Sequence, residues 1–144
     1  MITIDVNVLV YAFDADAPEH ERYRAWLAGA LSGDEPVGIL DQVLAAFVRV
    51  ATHPRILVRP APLEAALAFA TAVRSAPAVL PAGPDERYWS VFDRLCRAAG
   101  AKGNLVADAA LAASAIVAGA ELVTTDRDFA RFPGLRWRHP LPSS

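Results

Sequence analysis

The chain has 144 residues, 54% of them hydrophobic and 21% charged, with a formal net charge of −2. That length suits a single domain, residues 1–144, around one core, and that balance excludes a disordered chain. A slightly acidic total excludes a general pull toward nucleic acid, so any such contact must come from a local basic patch. The single cysteine, Cys96, excludes an internal disulfide framework and makes a reducing, cytoplasmic compartment the default. No apolar run reaches membrane-spanning length, and no signal peptide is expected.

In chain order, Ile2-Thr3-Ile4 is a β-branched run that stops on Asp5. It reads as a buried strand with an acid at the end where α/β sheets meet their ligands. Residues 8–13 start a short helix, which Asp14-Ala15-Asp16-Ala17-Pro18 breaks. A helix is predicted over 19–30, with Tyr23, Trp26, Leu27 and Ala30 on one stripe. Residues 32–36 form a loop and residues 37–40 a second strand. Asp41 opens a helical pattern of Val43, Leu44, Phe47, Val48 and Ala51, which ends at Thr52-His53-Pro54. After the Pro60-Ala61-Pro62 loop, Leu63, Ala66, Leu67, Ala70 and Val73 mark the next helix.

Val79-Leu80 suggests a short strand, and residues 84–98 a helix with Trp89, Phe92, Leu95 and Cys96 inward. Cys96 reads as a small core residue, since no second cysteine or nearby histidine makes a set with it. A small-residue helix over 106–118 carries Asp108 and stops at Gly119-Ala120. Residues 121–125 form a strand with Asp126 just beyond, and residues 134–137 a last edge strand. Strands alternating with helices imply a parallel-rich sheet covered by helices.

Four acids stand out. Asp5 and Asp41 each fit a helix cap, and Asp126 fits turn chemistry in Asp126-Arg127-Asp128. Asp108 differs: it sits among Val106, Ala107, Ala109, Ala110 and Leu111, where an ionised carboxylate is costly unless paired or metal-bound. In a doubly wound sheet, strand ends and the following helix starts share one edge, so all four acids are expected to face one pocket. Crowded carboxylates call for a divalent cation, and an all-oxygen set suits Mg²⁺ or Mn²⁺. Phosphodiester hydrolysis is the chemistry such a site does best. His20, His53 and His139 have no spaced partner, which argues against zinc, and there is no Gly-rich phosphate loop or nucleophile elbow.

Four stretches carry a family resemblance: Ile4-Asp5-Val6-Asn7-Val8-Leu9, residues 43–55, Val106-Ala107-Asp108-Ala109-Ala110-Leu111-Ala112-Ala113, and residues 122–135. With these the chain resembles the PIN-domain ribonucleases, and closely the VapC-type toxins of toxin–antitoxin pairs. The last stretch is the most specific. The resemblance implies a PIN-like α/β/α sandwich with a central, mostly parallel sheet. It implies a Mg²⁺- or Mn²⁺-dependent endoribonuclease acting on transfer or ribosomal RNA, held inactive by a VapB-like antitoxin in a homodimer or toxin–antitoxin hetero-oligomer, with no membrane partner. Asp5 and Asp108 resemble the central metal-binding acids and Asp126 the further acid of that pocket. Asn7, Thr125 and Asp128 resemble groups that orient carboxylates or water.

One departure lies in the middle stretch. Many family members carry Glu where this chain has Ala46, in Leu44-Ala45-Ala46-Phe47. A subset instead places an acid just before the Val-Leu pair, where Asp41 stands here, and Asp41 is therefore a candidate fourth catalytic acid beside Asp5, Asp108 and Asp126. Arg49, Arg55, Lys102 and Arg127, with His53 and Arg131, are the cations near the motifs that could meet RNA phosphates, each equally readable as solvated surface. Two other readings stand beside the nuclease. One is a PIN-like fold that binds RNA or a partner without cutting, which Ala46 keeps open. The other is a phosphoryl-transfer receiver or phosphatase, which needs a lysine near the acids and has only Lys102 to offer. Trp26, Tyr88 and Trp89 read as core or as a groove for a partner helix.

Overall fold

Alternating apolar runs and amphipathic stretches give five strands and six α-helices among the described residues, 1–143, of the computed structural model. Strand β1 (Ile2–Ile4) is buried along its length, and helix α1 (Val6–Phe13) begins at once after Asp5. Helix α2 (His20–Ser32), strand β2 (Val37–Leu40) and helix α3 (Asp41–Thr52) follow. Helix α4 (Leu63–Arg74), strand β3 (Val79–Ala82), helix α5 (Tyr88–Ala99) and helix α6 (Asn104–Ala118) come next. Strand β4 (Glu121–Val123), a 3-10 turn (Arg127–Arg131) and strand β5 (Trp137–Arg138) complete the order.

The strands form one sheet in the order β3-β2-β1-β4-β5, and every pairing is parallel. The arrangement is the expected α/β/α sandwich. Strands buried on both faces need apolar residues throughout, which the short Val, Ile and Leu runs supply. Pro81 lies in β3, an edge strand, the place where a residue without an N–H is tolerated. Gly38 in β2 is required by close approach: a Cβ there would stand 3.1 Å from the Ala82 Cβ and 3.3 Å from Met1 Sδ.

Two sets of contacts hold the helices that matter for the site. Phe13, Phe47 and Phe69 join α1, α3 and α4, with ring centroids 5.3, 5.1 and 4.9 Å apart. Such aromatic clusters stabilise beyond their buried area through edge-to-face geometry. Helix α6 packs through Ala109, Ala112, Ala113 and Ala115, all buried, with α5 against it through the buried Leu95. Small side chains let this helix approach its neighbours closely, and it ends at Gly119 in the left-handed conformation.

The structure departs from the sequence reading at several ends. Helix α1 starts at Val6, two residues early, because Asp5 caps it. Helix α5 starts at Tyr88, since Asp85 accepts the Arg87 N–H at 2.8 Å and holds residues 85–87 in a turn. Trp89 is 68% exposed and Leu67 is 42% exposed, so neither joins the core; Trp26 and Tyr88 pack partly buried against it. The last strand is only Trp137–Arg138, because Gly134 turns the chain at φ 86°. Among the described residues, no helix is long and apolar enough to cross a membrane.

Candidate active site

The parallel register builds the site. Ile4 pairs with Val123, and one step further Asp5 donates its N–H to the Val123 carbonyl at 3.0 Å. That step sets Asp5 beside Thr124. Thr124 Oγ1 donates to Asp5 Oδ2 at 2.7 Å, and Asp5 Oδ1 accepts the Val6 N–H at 2.7 Å. Thr124 Oγ1 also accepts the Asp126 N–H at 3.0 Å, and Asp126 Oδ1 accepts the Asp128 N–H at 2.8 Å. A single buried hydroxyl therefore ties the acid after β1 to the acid after β4. The cap reading of Asp5 and the turn reading of Asp126 both hold, and neither excludes a place in the site.

Asp108, in the second turn of α6, faces the same cleft, which has a volume of about 620 Å³ and is also lined by Asn7, Ala46 and Arg49. Desolvation pushes the Asp108 carboxyl up to about 6, helped by the charges of Asp126, Asp5 and Asp128. Burial likewise raises Asp5, against the lowering effect of the hydrogen bonds from Thr124 and Val6, and the Asp126 charge adds to the rise. Asp5 is 8% exposed, so a charge is held here with little water around it.

The expectation that four acids share the pocket fails at Asp41. Its carboxylate is exposed and bonds Arg74 at 2.8 and 3.4 Å, and the guanidinium holds it below the usual carboxylate range. It lines a separate hollow with Arg74, Leu80 and Pro81. It is not a cap either, since Leu40 occupies that position. Ala46 does line the acidic cleft, so the place of the family's Glu faces the site with only a methyl group.

Thr125 is half-buried and makes no side-chain hydrogen bond among the described residues; the orienting hydroxyl is that of Thr124, which is wholly buried. Asp128 is exposed and acts through its backbone N–H on Asp126 and its charge on Asp108. Of the cations, Arg49 lines the cleft. Arg127 lines another hollow with Arg22 and Arg138. Arg55, Lys102 and Arg131 are exposed and line no part of the cleft, and His53 Nδ1 accepts the Arg55 N–H. Without a lysine at the acids, the phosphoryl-receiver reading loses its support.

Three buried side-chain oxygens lack a hydrogen-bond partner among the described residues, and one of them, Oδ1, belongs to Asn7, a residue that lines the cleft. An orphaned amide oxygen beside mutually repelling carboxylates is a donor set fit for a hard cation. Among the described residues, however, no three His, Cys, Asp or Glu side chains are gathered closely enough to hold a metal by themselves.

A parallel sheet with acids converging beyond the ends of its central strands defines the class, and the PIN domain profile matches residues 2–135: the chain belongs to the PIN-domain family. Within that family it is of the VapC type. It is 46% identical over 141 residues to "VapC ribonuclease Mb2897" of Mycobacterium bovis, covering 98% of this chain and 96% of that one. It is 40% identical over 140 residues to "Ribonuclease VapC31" of Mycobacterium tuberculosis, covering 97% and 99%. Among solved structures, the fold matches the crystal structure of VapBC2 from Rickettsia felis bound to a promoter DNA fragment. There the TM-score is 0.71 at 20% identity, over 96% of this chain and 98% of that one.

Proposed function

We propose that this protein is the ribonuclease toxin of a toxin–antitoxin pair, hydrolysing phosphodiester bonds of RNA in the cleft of Asp5, Asp108 and Asp126. The observation that carries the reading is the convergence of three carboxylates, one of them pushed up to about 6 by burial and by its acidic neighbours. A site so charged is incomplete without a cation. One or two of the carboxylates of Asp5, Asp108 and Asp126, in the cleft that Asn7 also lines, would hold Mg²⁺ or Mn²⁺, with water completing its shell. A divalent ion there supplies an activated water and neutralises charge on the phosphate.

The chain's own residues do the rest. Thr124 fixes the rotamer of Asp5 and the backbone before Asp126, so two acids keep one spacing. Burial and the charges of Asp126, Asp5 and Asp128 push the Asp108 carboxyl up to about 6, and a cation held in the cleft would favour its ionised form. Arg49 lines the cleft, which supports a role for it in meeting a phosphate of the strand. A VapB-like antitoxin is the expected partner, in keeping with relatives of the VapC type and a VapBC structural neighbour.

The test is cleavage of transfer and ribosomal RNA by purified protein with Mg²⁺ or Mn²⁺, beside EDTA and the variants Asp5→Asn and Asp108→Asn. Discrete fragments should disappear in EDTA and fall by at least about a hundredfold in each variant, with the fold intact by circular dichroism. Undiminished cutting in both variants would remove these roles. Ala46 in the cleft favours a second reading, a PIN domain that binds RNA or a partner without cutting. Calorimetric titration with Mn²⁺ separates the two, because a lapsed site takes up little or no metal.

A further inference from the structure

The cleft is walled by two loops that the sequence keeps far apart, residues 14–19 and residues 53–61. The second is a stiff loop. Its base is closed by the Ala61 N–H on the Ala51 carbonyl at 2.8 Å, and Leu57 plugs into the core at 9% exposure. The first begins with an Asp14 turn, whose Oδ1 accepts the Asp16 N–H at 3.0 Å. Arg59 joins the two. Its Nε and Nη2 donate to both oxygens of Asp16, at 2.9 and 2.8 Å, a planar two-pronged pair.

The walls differ from the floor in chemistry. On either side of Leu57, Ile56 is 50% exposed and Val58 82% exposed, and Pro18 of the other loop lines the same cleft. An acidic floor repels a phosphate chain unless a cation intervenes, whereas an aliphatic rim offers apolar contact to bases that are splayed out of a stack. A duplex offers this rim only phosphates and sugars, its bases being stacked inside.

We infer that the Asp16–Arg59 pair is a specificity-determining strap, holding the apolar rim over the acidic floor so that an unpaired RNA segment enters and a duplex does not. The inference rests on the ribonuclease reading above. Neither residue touches the reacting atoms; both are positioning residues that act through the loops they join. An exposed ion pair contributes little to global stability, so its loss should leave the fold in place and change what the cleft admits.

The experiment compares kcat/KM on an unpaired RNA with kcat/KM on the same sequence inside a duplex. Arg59→Ala and Asp16→Ala should each lower the unpaired-to-duplex ratio by about threefold to fivefold. On the unpaired RNA, kcat should stay within about twofold of wild type, the change appearing in KM. The charge swap Asp16→Arg with Arg59→Asp should restore the ratio. Arg59→Lys should restore it only in part, because an ammonium cannot match both carboxylate oxygens in one plane. Amide exchange through residues 14–19 and 53–61 should quicken together in Arg59→Ala. An unchanged ratio in both single variants, or a swap that leaves it low, overturns the strap while the ribonuclease stands. A wild-type protein that cuts neither RNA overturns the ribonuclease reading and the strap with it.

Discussion

Thr124 carries more of the site than its chemistry suggests. Its hydroxyl donates to Asp5 and accepts from the Asp126 backbone, and it is fully buried. Thr124→Val keeps the shape and removes both bonds, leaving a desolvated carboxylate oxygen without its donor. We expect a loss of about 1–3 kcal/mol in stability, read by urea denaturation, and about a tenfold to hundredfold loss in cutting at limiting metal. Asp41→Asn is the contrasting case. Asp41 lines another hollow and is held by Arg74, so cutting should stay within about twofold of wild type. Sequence reasoning found Asp5, Asp108 and Asp126 because each interrupts or ends an apolar pattern. The family resemblance points to Thr125 and leaves Thr124 unmarked, because only the pairing register, Ile4 against Val123, shows which threonine lies beside Asp5. Sequence reasoning placed Asp41 in the pocket because the partner that draws it away, Arg74, lies in another helix and has no signature in the local pattern.

At the scale of elements, α6 is the delicate part. Its buried face is mostly small side chains, Ala109, Ala112, Ala113, Ser114 and Ala115 beside Leu111 and Val117, and Asp108 rides on the same helix. Ala112→Leu adds a branched side chain where exposure is zero, and overpacking of this kind costs about 1–3 kcal/mol or more. The thermal midpoint should fall, and because a shifted α6 carries Asp108 with it, Mn²⁺ affinity should fall as well; calorimetry on the still-folded variant would show it. Most elements are legible from periodicity: the strand over 37–40 and the helix opening at Asp41 lie where the pattern puts them, and the strand expected over 121–125 forms but stops at Val123, where Thr124 turns its hydroxyl to Asp5 and Asp126. Ends set by side-chain bonds are not, as at Asp85, whose turn displaces the start of α5. The inward stripe predicted for α5 holds at Leu95 and fails at Trp89, because helical spacing says that residues share a face without saying how far the neighbouring helix extends.

Across the whole molecule, three acids from three separate elements meet only in the folded state, and this makes stability depend on pH. Asp108 has a folded-state value of about 6 against an ordinary 3.8, and Asp5 is raised in the same direction. Between these values the folded chain binds more protons than the unfolded one, so metal-free stability falls as pH rises from about 4 to 6. The thermal midpoint measured in EDTA should decline over that window, and the decline should shrink in Asp108→Asn. Saturating Mn²⁺ at pH 7 should raise the midpoint of the wild type and leave that of Asp108→Asn nearly unmoved. The same shared strand direction that collects the acids at one edge has an effect at the other. All five strands are parallel, so the turn over residues 32–36, which leads into the start of β2, sits at the reverse edge from Asp5 and Asp126, and Gly33 and Asp34 there are exposed. The acids and this exposed turn thus stand at opposite ends of the sheet, and a reporter peptide inserted between Gly33 and Asp34 gives a handle for tethering the protein to a surface with its cleft turned outward.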